Sequence, residues 1–88
     1  MANWFVYLLR CADDTLYAGV TVDLERRLRE HNGECSPLKG AKYTKIRRPV
    51  VLVYYEACTD RSAAQIREAA IRKLSRSDKC RLIDNTPL

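Results

Sequence analysis

Residues 6–31, VYLLRCADDTLYAGVTVDLERRLREH, decide how this chain folds. Two runs rich in aromatic and β-branched residues, 4–10 and 15–20, are typical of β-strands. The connecting segment, residues 12–14, is short and polar, which predicts a hairpin turn and antiparallel pairing of the two strands. Because the pattern then changes to a helical one, the stretch predicts strand, turn, strand and helix in that order.

Two tyrosines lie on one face of this predicted hairpin. Side chains alternate between faces along a strand, so Tyr7 in the first strand and Tyr17 in the second share a side. If Cys11 lies opposite Thr15 across a three-residue loop, Tyr7 faces Gly19. A register shifted by two residues places the tyrosines directly opposite each other instead. Gly19 leaves a gap beside the phenols, where another molecule can approach the backbone closely.

The predicted helix presents an arginine and a histidine near these tyrosines. Thr21 is expected to cap its N-terminus. Leu24 and Leu28 form the stripe that packs on the sheet, and Arg27 and His31 lie one turn apart on the edge of that stripe. Two phenols, a small gap, a guanidinium and an imidazole are therefore expected to converge. The other arginines of this helix are expected to face solvent: Arg26 and Arg29.

Residues 32–49 contain glycines and prolines that favour loop structure, and they carry many cations. One interpretation is a solvated surface loop. The other, which we favour, is a phosphate-binding rim with an aromatic side chain that stacks on a base. The candidate nucleic-acid-binding residues in this rim are Lys39, Lys42, Tyr43, Lys45, Arg47 and Arg48.

The rest of the chain predicts one strand and two helices. Residues 50–56 are apolar on both faces, which predicts a central strand. Its Tyr54 and Tyr55 point to opposite faces and are assigned to packing, with the alternative that one of them borders the site. A helix is expected from residue 59 or 60 to about 74, and a short closing helix over residues 77–84. The residues expected to face the core are Ala63, Ile66, Ala70, Ile71 and Leu74 in the longer helix, and Leu82 and Ile83 in the shorter one.

Length and charge limit the function classes. Eighty-eight residues predict a single domain spanning residues 1–88. A net charge of +5 and a pI near 9.2 favour a polyanionic partner such as nucleic acid. The apolar run at residues 4–9 is too short for a signal peptide core or a membrane span, so we expect a cytoplasmic protein with no membrane partner.

Four cysteines, Cys11, Cys35, Cys58 and Cys80, are spread along the chain without a close pair. Structural zinc sites usually draw on close pairs of ligands, so this spacing argues against zinc. A reducing compartment disfavours disulfides, and we therefore expect free thiols.

The chain resembles the GIY-YIG nucleases, whose name records two tyrosine-containing triplets on a β-hairpin. The counterparts here are Phe5-Val6-Tyr7 and Tyr17-Ala18-Gly19. The wider pattern is similar to small standalone bacterial members over nearly the whole chain, through LYAGVTVDLERRLREHN and then GAKYT and RRPV. Asp14 departs from the glycine common at this turn, but aspartate tolerates the left-handed conformation.

The resemblance implies a fold and an activity. The fold is α/β in the mixed (α+β) sense, a three-stranded antiparallel sheet flanked by helices in the order β-β-α-β-α-α. The activity is metal-dependent hydrolysis of phosphodiester bonds in DNA, with Mg²⁺ or Mn²⁺ as the cofactor. The small surface available for reading bases in the major groove favours a preference for single-stranded or branched DNA. The alternatives are a nuclease that acts on RNA and a module that binds nucleic acid without cutting it.

The resemblance also implies roles for the residues of the hairpin and the first helix. Tyr7 activates a water molecule and Tyr17 orients that water or the phosphate. Arg27 neutralises the charge that develops on the phosphate. A phenol is a poor base at neutral pH, so nearby cations must favour its ionised form or His31 must take its proton.

Two further site residues come from the C-terminal helices. Glu68 begins the sequence EAAIRKL, which matches the family's helix whose glutamate binds the metal ion. The residue pattern alone favours a surface ion pair between Glu68 and Arg72, which would contribute little to stability. Asn85 lies where related proteins place a polar residue near the phosphate.

Overall fold

A three-stranded antiparallel sheet flanked by helices forms the part of the chain that the computed structural model describes, residues 3–33 and 42–86. This confirms the α+β class and the order β-β-α-β-α-α. One short helix, α2, lies in the segment predicted to be mostly loop. The elements are β1 (Trp4–Arg10), β2 (Leu16–Thr21), α1 (Leu24–His31), α2 (Lys42–Lys45), β3 (Val51–Cys58), α3 (Arg61–Arg72) and α4 (Arg76–Asn85).

The β1–β2 hairpin has the three-residue loop, which confirms one of the two predicted registers. The Cys11 amide donates a hydrogen bond to the Thr15 carbonyl oxygen at 2.9 Å, and Tyr7 pairs with Gly19. Asp14 adopts the left-handed conformation with a φ of 66°. The turn therefore accommodates aspartate in place of glycine, as expected.

The sheet has the order β2-β1-β3, so β1 is the central strand and the prediction that β3 is central was wrong. Val6, Leu8 and Leu9 of β1 are almost completely buried. By contrast, β3 leaves 60% of Val51 and 44% of Tyr55 exposed. An apolar run on both faces is compatible with an edge strand when part of the run stays in solvent. The sequence pattern did not distinguish these cases.

Alternation along the strands gives the sheet two differently covered faces. We call them the α3–α4 face and the α1 face. The core on the α3–α4 face consists of Val6, Leu8, Ala18, Tyr54 and Ile71, with Leu82 and Ile83 of α4 packed against it as predicted. The core on the α1 face consists of Tyr7, Leu9, Cys11 and Val50, with Tyr17, Leu24, Leu28 and Leu52 packed against it.

The N-terminal cap of α1 is Asp23, and the prediction of Thr21 was wrong. The Asp23 carboxylate accepts a hydrogen bond from the Arg26 amide at 3.1 Å. The Thr21 hydroxyl instead accepts one from the Asp23 amide at 3.1 Å. Both residue types suit a cap, and the strand simply continues through Thr21 before the helix begins.

The buried stripe of α3 differs from the predicted one. Ala64 and Ile71 are fully buried, whereas Ile66 is 70% exposed and Ala70 is exposed. Residues four and seven positions apart share one side of a helix, so Glu68 lies on the same side as Ala64 and Ile71. The helix starts after an Asp60 cap, as expected, and it packs across β1 and β2.

No helix within residues 3–33 and 42–86 has the length and apolar character needed to cross a lipid bilayer. Cys11, Cys58 and Cys80 are free thiols, as expected, and Cys35 lies outside the described residues.

Candidate active site

A buried hydrogen-bonded chain joins β1, α1 and α2. The Tyr7 hydroxyl lies 2.9 Å from His31 Nε2, and His31 Nδ1 lies 2.8 Å from the Thr44 hydroxyl. His31 and Thr44 are fully buried and Tyr7 is nearly so. We call this the Tyr7–His31–Thr44 chain. The predicted convergence of hairpin and helix therefore exists, and α2 adds a third member to it.

His31 is an uncharged imidazole at neutral pH. Burial, helped by the positive charge of Arg27, lowers the pKa of His31 to about 4. A neutral imidazole has one nitrogen that donates and one that accepts. In one tautomer Nδ1–H donates to Thr44 and Nε2 accepts from the Tyr7 hydroxyl, which is the arrangement needed for His31 to receive the Tyr7 proton.

The second tyrosine and the glycine complete the packing around the imidazole. The Tyr17 ring meets the His31 ring edge-on, with centroids 5.3 Å apart. A Cβ at residue 19 would overlap the Tyr7 hydroxyl. Glycine at this position therefore allows the Tyr7 phenol to lie across β2 and reach His31. The predicted gap beside the phenols is filled by Tyr7 itself.

Tyr7 is held in its neutral form. Burial raises the pKa of Tyr7 to about 12, although the neighbouring Arg27 guanidinium acts in the opposite direction. Of the two routes expected from the sequence, ionisation of the phenol by nearby cations is thus outweighed by burial. The second route, transfer of the Tyr7 proton to His31, has the hydrogen bond it needs, although the low pKa of His31 makes the imidazole a weak acceptor.

Arg27 is fixed by a carboxylate one turn along α1. Arg27 Nη1 lies 2.9 Å from Glu30 Oε1, and Arg26 Nε lies 3.3 Å from the other oxygen of Glu30. Although burial favours the neutral form, Glu30 and Tyr7 raise the pKa of Arg27, so it stays charged. Its side chain is 31% exposed, which leaves the guanidinium accessible to an anion. Sequence reasoning missed Glu30, for which the i, i+3 spacing from Arg27 was the available signal.

Glu68 pairs with a neighbour on its own helix and also acts on Tyr7. Its carboxylate lies 3.6 Å from Arg72 Nη2, which is the ion pair that the helical spacing indicated. Its side chain is only 18% exposed, and its charge acts on Tyr7 in the direction that raises the Tyr7 pKa, after the larger effect of burial. Glu68 is therefore electrostatically connected to the tyrosine, as well as to its helix neighbour.

The donor set fits a hydrated Mg²⁺ or Mn²⁺ better than a fully protein-ligated ion. Among residues 3–33 and 42–86, no three His, Cys, Asp or Glu side chains come together as a metal-binding group. Magnesium is commonly held by one or two carboxylates while it keeps several waters. Glu68, as a single carboxylate with some exposure, satisfies that requirement.

The cationic segment is tied to the hairpin and to α1. Arg47 Nε lies 2.9 Å from Asp13 Oδ2, and the Arg47 carbonyl accepts a hydrogen bond from the Ala12 amide at 2.9 Å. Arg48 Nε donates to the His31 carbonyl oxygen at 2.6 Å. Both arginines, predicted to bind nucleic acid, thus make intramolecular contacts that position the segment beside the site.

The other predicted nucleic-acid-binding residues are described only in part. Lys45 is half-buried in α2, and Asn85 is exposed at the end of α4. Lys39 and the side chains of Lys42 and Tyr43 lie outside the described part of the chain. Sequence reasoning missed Thr44, although it lies inside the GAKYT motif that carried part of the resemblance.

The chain matches the family model for the GIY-YIG catalytic domain over residues 3–81. A UPF0213 protein of Desulfotalea psychrophila is 55% identical over 80 residues, which covers 91% of this chain and 70% of that protein. A UPF0213 protein of Syntrophus aciditrophicus is 51% identical over 87 residues, which covers 99% of this chain and 97% of that protein.

Two solution NMR structures share the fold. One, of a UPF0213 protein from Bacillus halodurans, has a TM-score of 0.60 and 35% sequence identity, covering 97% of this chain and 86% of that one. The other, of a protein from E. faecalis, has a TM-score of 0.63 and 39% identity with the same coverage. With the tyrosine hairpin, the arginine and the histidine in place, this chain belongs to the GIY-YIG family of the nuclease superfamily.

Proposed function

We propose that this protein is a divalent-metal-dependent endonuclease that hydrolyses phosphodiester bonds in DNA, including single-stranded or branched DNA, in the cytoplasm. The observation that carries the proposal is the 2.9 Å contact between the Tyr7 hydroxyl and a neutral His31, next to the charged Arg27. This arrangement supplies a proton acceptor and an anion-binding cation at one place. The net charge of +5 supports a polyanionic substrate.

Arg27 is proposed to bind the scissile phosphate. A guanidinium is planar and permanently charged, and it forms paired hydrogen bonds with phosphate oxygens. Glu30 holds one side of the guanidinium, so its orientation is fixed before substrate binds. As charge develops on the phosphate during attack by water, a pre-positioned guanidinium stabilises the transition state.

The Tyr7–His31–Thr44 chain is proposed to carry the proton released by the attacking water. The water oxygen bonds to phosphorus while its proton passes to Tyr7 Oη, and the phenolic proton passes to His31 Nε2. The phosphorus–oxygen bond to the leaving group then breaks. The proton returns from His31 Nε2 to Tyr7 Oη, and the hydroxyl passes its own proton to the leaving oxygen or to solvent. Tyr7 remains a neutral phenol at the start and end, consistent with its pKa of about 12. Tyr17 is proposed to orient the water or the phosphate.

Phosphate binding would make His31 a better proton acceptor. The charge of Arg27 is one cause of the low pKa of His31, after burial. A bound phosphate anion offsets that charge, so we expect the pKa of His31 to rise when substrate is present. Burial is the larger cause and persists in the complex, so substrate would raise the low pKa of His31 only in part.

Glu68 is proposed to hold the Mg²⁺ or Mn²⁺ ion. When bound, such an ion polarises the scissile phosphate and stabilises the leaving oxygen. The resemblance, together with the partial exposure of the Glu68 carboxylate and its electrostatic effect on Tyr7, supports this assignment.

The second candidate is a module that binds nucleic acid without cutting it. The observation that favours it is that proton transfer from Tyr7 to His31 is unfavourable without substrate, because Tyr7, with a pKa of about 12, is a weak acid and His31, with a pKa of about 4, is a weak base. An RNA substrate is the third candidate, since Arg27 would recognise either phosphate backbone.

Digestion of matched single-stranded, duplex, flap and RNA oligonucleotides, with and without Mg²⁺, distinguishes these candidates. We expect metal-dependent cleavage of DNA. Arg27→Ala should lower the cleavage rate by roughly 10²- to 10³-fold. Glu68→Ala should reduce cleavage with Mg²⁺ to the level seen without metal. Both variants should stay folded and bind the oligonucleotide. Arg29→Ala, on the exposed side of the same helix, is the matched control and should cut like the parent.

If all four oligonucleotides bind and none is cleaved, the endonuclease proposal is wrong and the protein is the binding module. If only RNA is cleaved, the proposal of a DNA substrate is wrong. If Arg27→Ala or Glu68→Ala cuts as fast as the parent, the role assigned to that residue is wrong.

A further inference from the structure

Tyr55 lies directly beside Tyr7 on the same face of the sheet. The two residues are register partners between β1 and β3, and register partners of antiparallel strands point to the same face. Gly19 is the partner of Tyr7 on the other side, and the Tyr7 phenol leans across it. Tyr55 therefore borders the site from the side that the Tyr7 ring does not cover.

The exposure of Tyr55 distinguishes it from the other tyrosines described. It is 44% exposed, whereas Tyr7 and Tyr54 are buried and Tyr17 is half-buried. Tyr54, the preceding residue, points to the opposite face and belongs to the core there. Packing alone therefore does not account for an aromatic side chain at residue 55.

A neighbouring aromatic ring holds Tyr55 in place. The Phe5 and Tyr55 rings make an edge-on contact, with centroids 6.1 Å apart and planes at 72°. Phe5 itself is half-buried. An aromatic side chain held by a second ring loses little conformational entropy when another ring stacks on it.

We propose that Tyr55 is a stacking platform for an unpaired base of single-stranded DNA next to the phosphate bound at Arg27. This proposal rests on the proposed function, because it needs a nucleic-acid strand at the site. Proteins that bind single strands combine cations that follow the backbone with aromatic rings on which bases stack. Arg27, whose charge acts on Tyr7, supplies the cation, and Tyr55, the register partner of Tyr7 on the same face, supplies the ring.

The platform selects for an unpaired substrate. A base within a duplex is already stacked on its neighbours and must be unstacked to meet a protein ring, which costs free energy. A base in a single strand or beside a branch point avoids most of that cost. Tyr55 would therefore favour single-stranded DNA over duplex DNA in binding, before any cleavage occurs.

The test measures binding of fluorescent single-stranded oligonucleotides without divalent metal, each with one abasic nucleotide at a successive position. With the parent protein, one position should weaken binding roughly tenfold when its base is removed. Tyr55→Ala and Tyr55→Leu should weaken binding of the intact oligonucleotide by a similar factor and become insensitive to the abasic position. Tyr55→Phe keeps the ring and should bind like the parent.

Val51→Ala is the matched control, because Val51 is an exposed apolar residue on the same strand at the far end from Phe5. It should bind like the parent, and circular dichroism should show that all variants are folded. If Tyr55→Ala binds as tightly as the parent, or stays equally sensitive to the abasic position, the platform is wrong and Tyr55 is a surface residue or a protein contact.

Cleavage assays on the same oligonucleotides with Mg²⁺ separate this proposal from the endonuclease itself. Cleavage that is unaffected by every Tyr55 variant, together with unchanged binding, overturns the platform alone. Binding that depends on Tyr55 without any cleavage overturns the endonuclease and keeps the platform as part of a binding module.

Discussion

Two buried tyrosines on neighbouring strands have similar acidity but different partners. Tyr7 on β1 faces α1 and contacts His31, while Tyr54 on β3 faces α3 and donates a hydrogen bond to Glu56. Burial is the first cause that raises the pKa of each phenol, to about 12 in both cases. The phenol alone therefore does not distinguish a site that carries out chemistry from one that stabilises the fold.

The partner of Tyr54 is fixed by a permanent cation. Arg67 Nε and Nη2 each lie 2.9 Å from an oxygen of Glu56. Although burial favours the protonated form, the hydrogen bonds from Arg67 and Tyr54 lower the pKa of Glu56. Because Arg67 belongs to the fold, substrate binding does not remove this effect, and Glu56 stays ionised.

The partner of Tyr7 depends on groups that substrate can change. Part of the low pKa of His31 comes from Arg27, which is accessible to a phosphate. The imidazole also has a second nitrogen, which contacts Thr44, so a proton can enter and leave through the same ring. The two tyrosine sites therefore differ in what sets the pKa of the partner. Arg67 of the fold acts on Glu56, whereas the accessible Arg27 acts on His31.

The largest effect that tests this comparison is on cleavage. Tyr7→Phe removes the hydroxyl proposed to relay a proton, and it should lower the cleavage rate by roughly 10²- to 10⁴-fold. Tyr54→Phe removes the equivalent hydroxyl on the other face and should leave the rate within about twofold of the parent. Single-turnover rates at saturating DNA provide the measurement. Equal losses in the two variants would show that the hydroxyls act only through the fold.

The next effect is on the pH dependence of stability. The pKa of His31 is about 4 in the folded protein and near 6.5 in an unfolded chain. The unfolded state therefore binds a proton that the folded state does not over this range. The contribution of neutral His31 to the free energy of unfolding is fully present above about pH 6.5. It is lost as the pH falls towards 4, by up to about 3 kcal/mol.

Urea unfolding at pH 7 and pH 4.5 measures this effect, with His31→Gln as the control that lacks the titrating group. The carboxyl pKa values of Asp13 and Glu56 are also lowered in the folded protein. Their protonation at low pH therefore also decreases the free energy of unfolding. The difference between parent and His31→Gln removes their contribution. A parent protein whose stability falls no more than that of His31→Gln would contradict a neutral, buried His31.

A smaller effect is expected on the α3–α4 face. Arg67→Ala leaves the partly buried Glu56 carboxylate without its cation and should lower the free energy of unfolding by about 1 kcal/mol, with cleavage unchanged. Arg81→Ala removes an exposed arginine that pairs with Asp78 at 3.9 Å and should change stability less. Urea unfolding of both variants gives the comparison. Loss of cleavage in folded Arg67→Ala would connect this network to the active site.

The smallest effect concerns the response of His31 to phosphate. His31 is the single histidine in the sequence, so NMR follows its ring without further assignment. A short oligonucleotide that cannot be cleaved should raise its pKa slightly, because the phosphate offsets the charge of Arg27. In Arg27→Ala the free protein should already have the higher pKa and the ligand should add little. If the oligonucleotide leaves the pKa of His31 in the parent protein unchanged, the phosphate does not bind at Arg27.

The hairpin and the first helix were predictable because their patterns are local. Alternation along β1 and β2 places Tyr7 and Tyr17 on one face, and helical spacing places Arg27 and His31 on one edge. The sequence left two registers open, and the structure has the one that pairs Tyr7 with Gly19. The sequence therefore contained most of the geometry around the two tyrosines.

The missing parts depend on contacts between distant residues. Thr44 contributes a hydroxyl to His31 from 13 positions away, and no periodic pattern indicates such a contact. The central strand of the sheet is the one that pairs with a strand on each side. Because β1 and β3 are both apolar, their sequences do not show which of them is central. In α3, Ile71 faces the core as predicted, whereas Ala64 is buried in place of Ala63 and Ile66 is exposed. Ala63 and Ala64 have the same side chain, so composition does not choose between them.

The imidazole is held by residues on both sides of the segment between residues 33 and 42. His31 precedes that segment, and Thr44 and Arg48, which contact its ring and its carbonyl, follow it. The position of the imidazole in the Tyr7–His31–Thr44 chain therefore depends on residues that follow α1 in the sequence, so a substitution at Thr44 or Arg48 changes the site without altering the hairpin or α1.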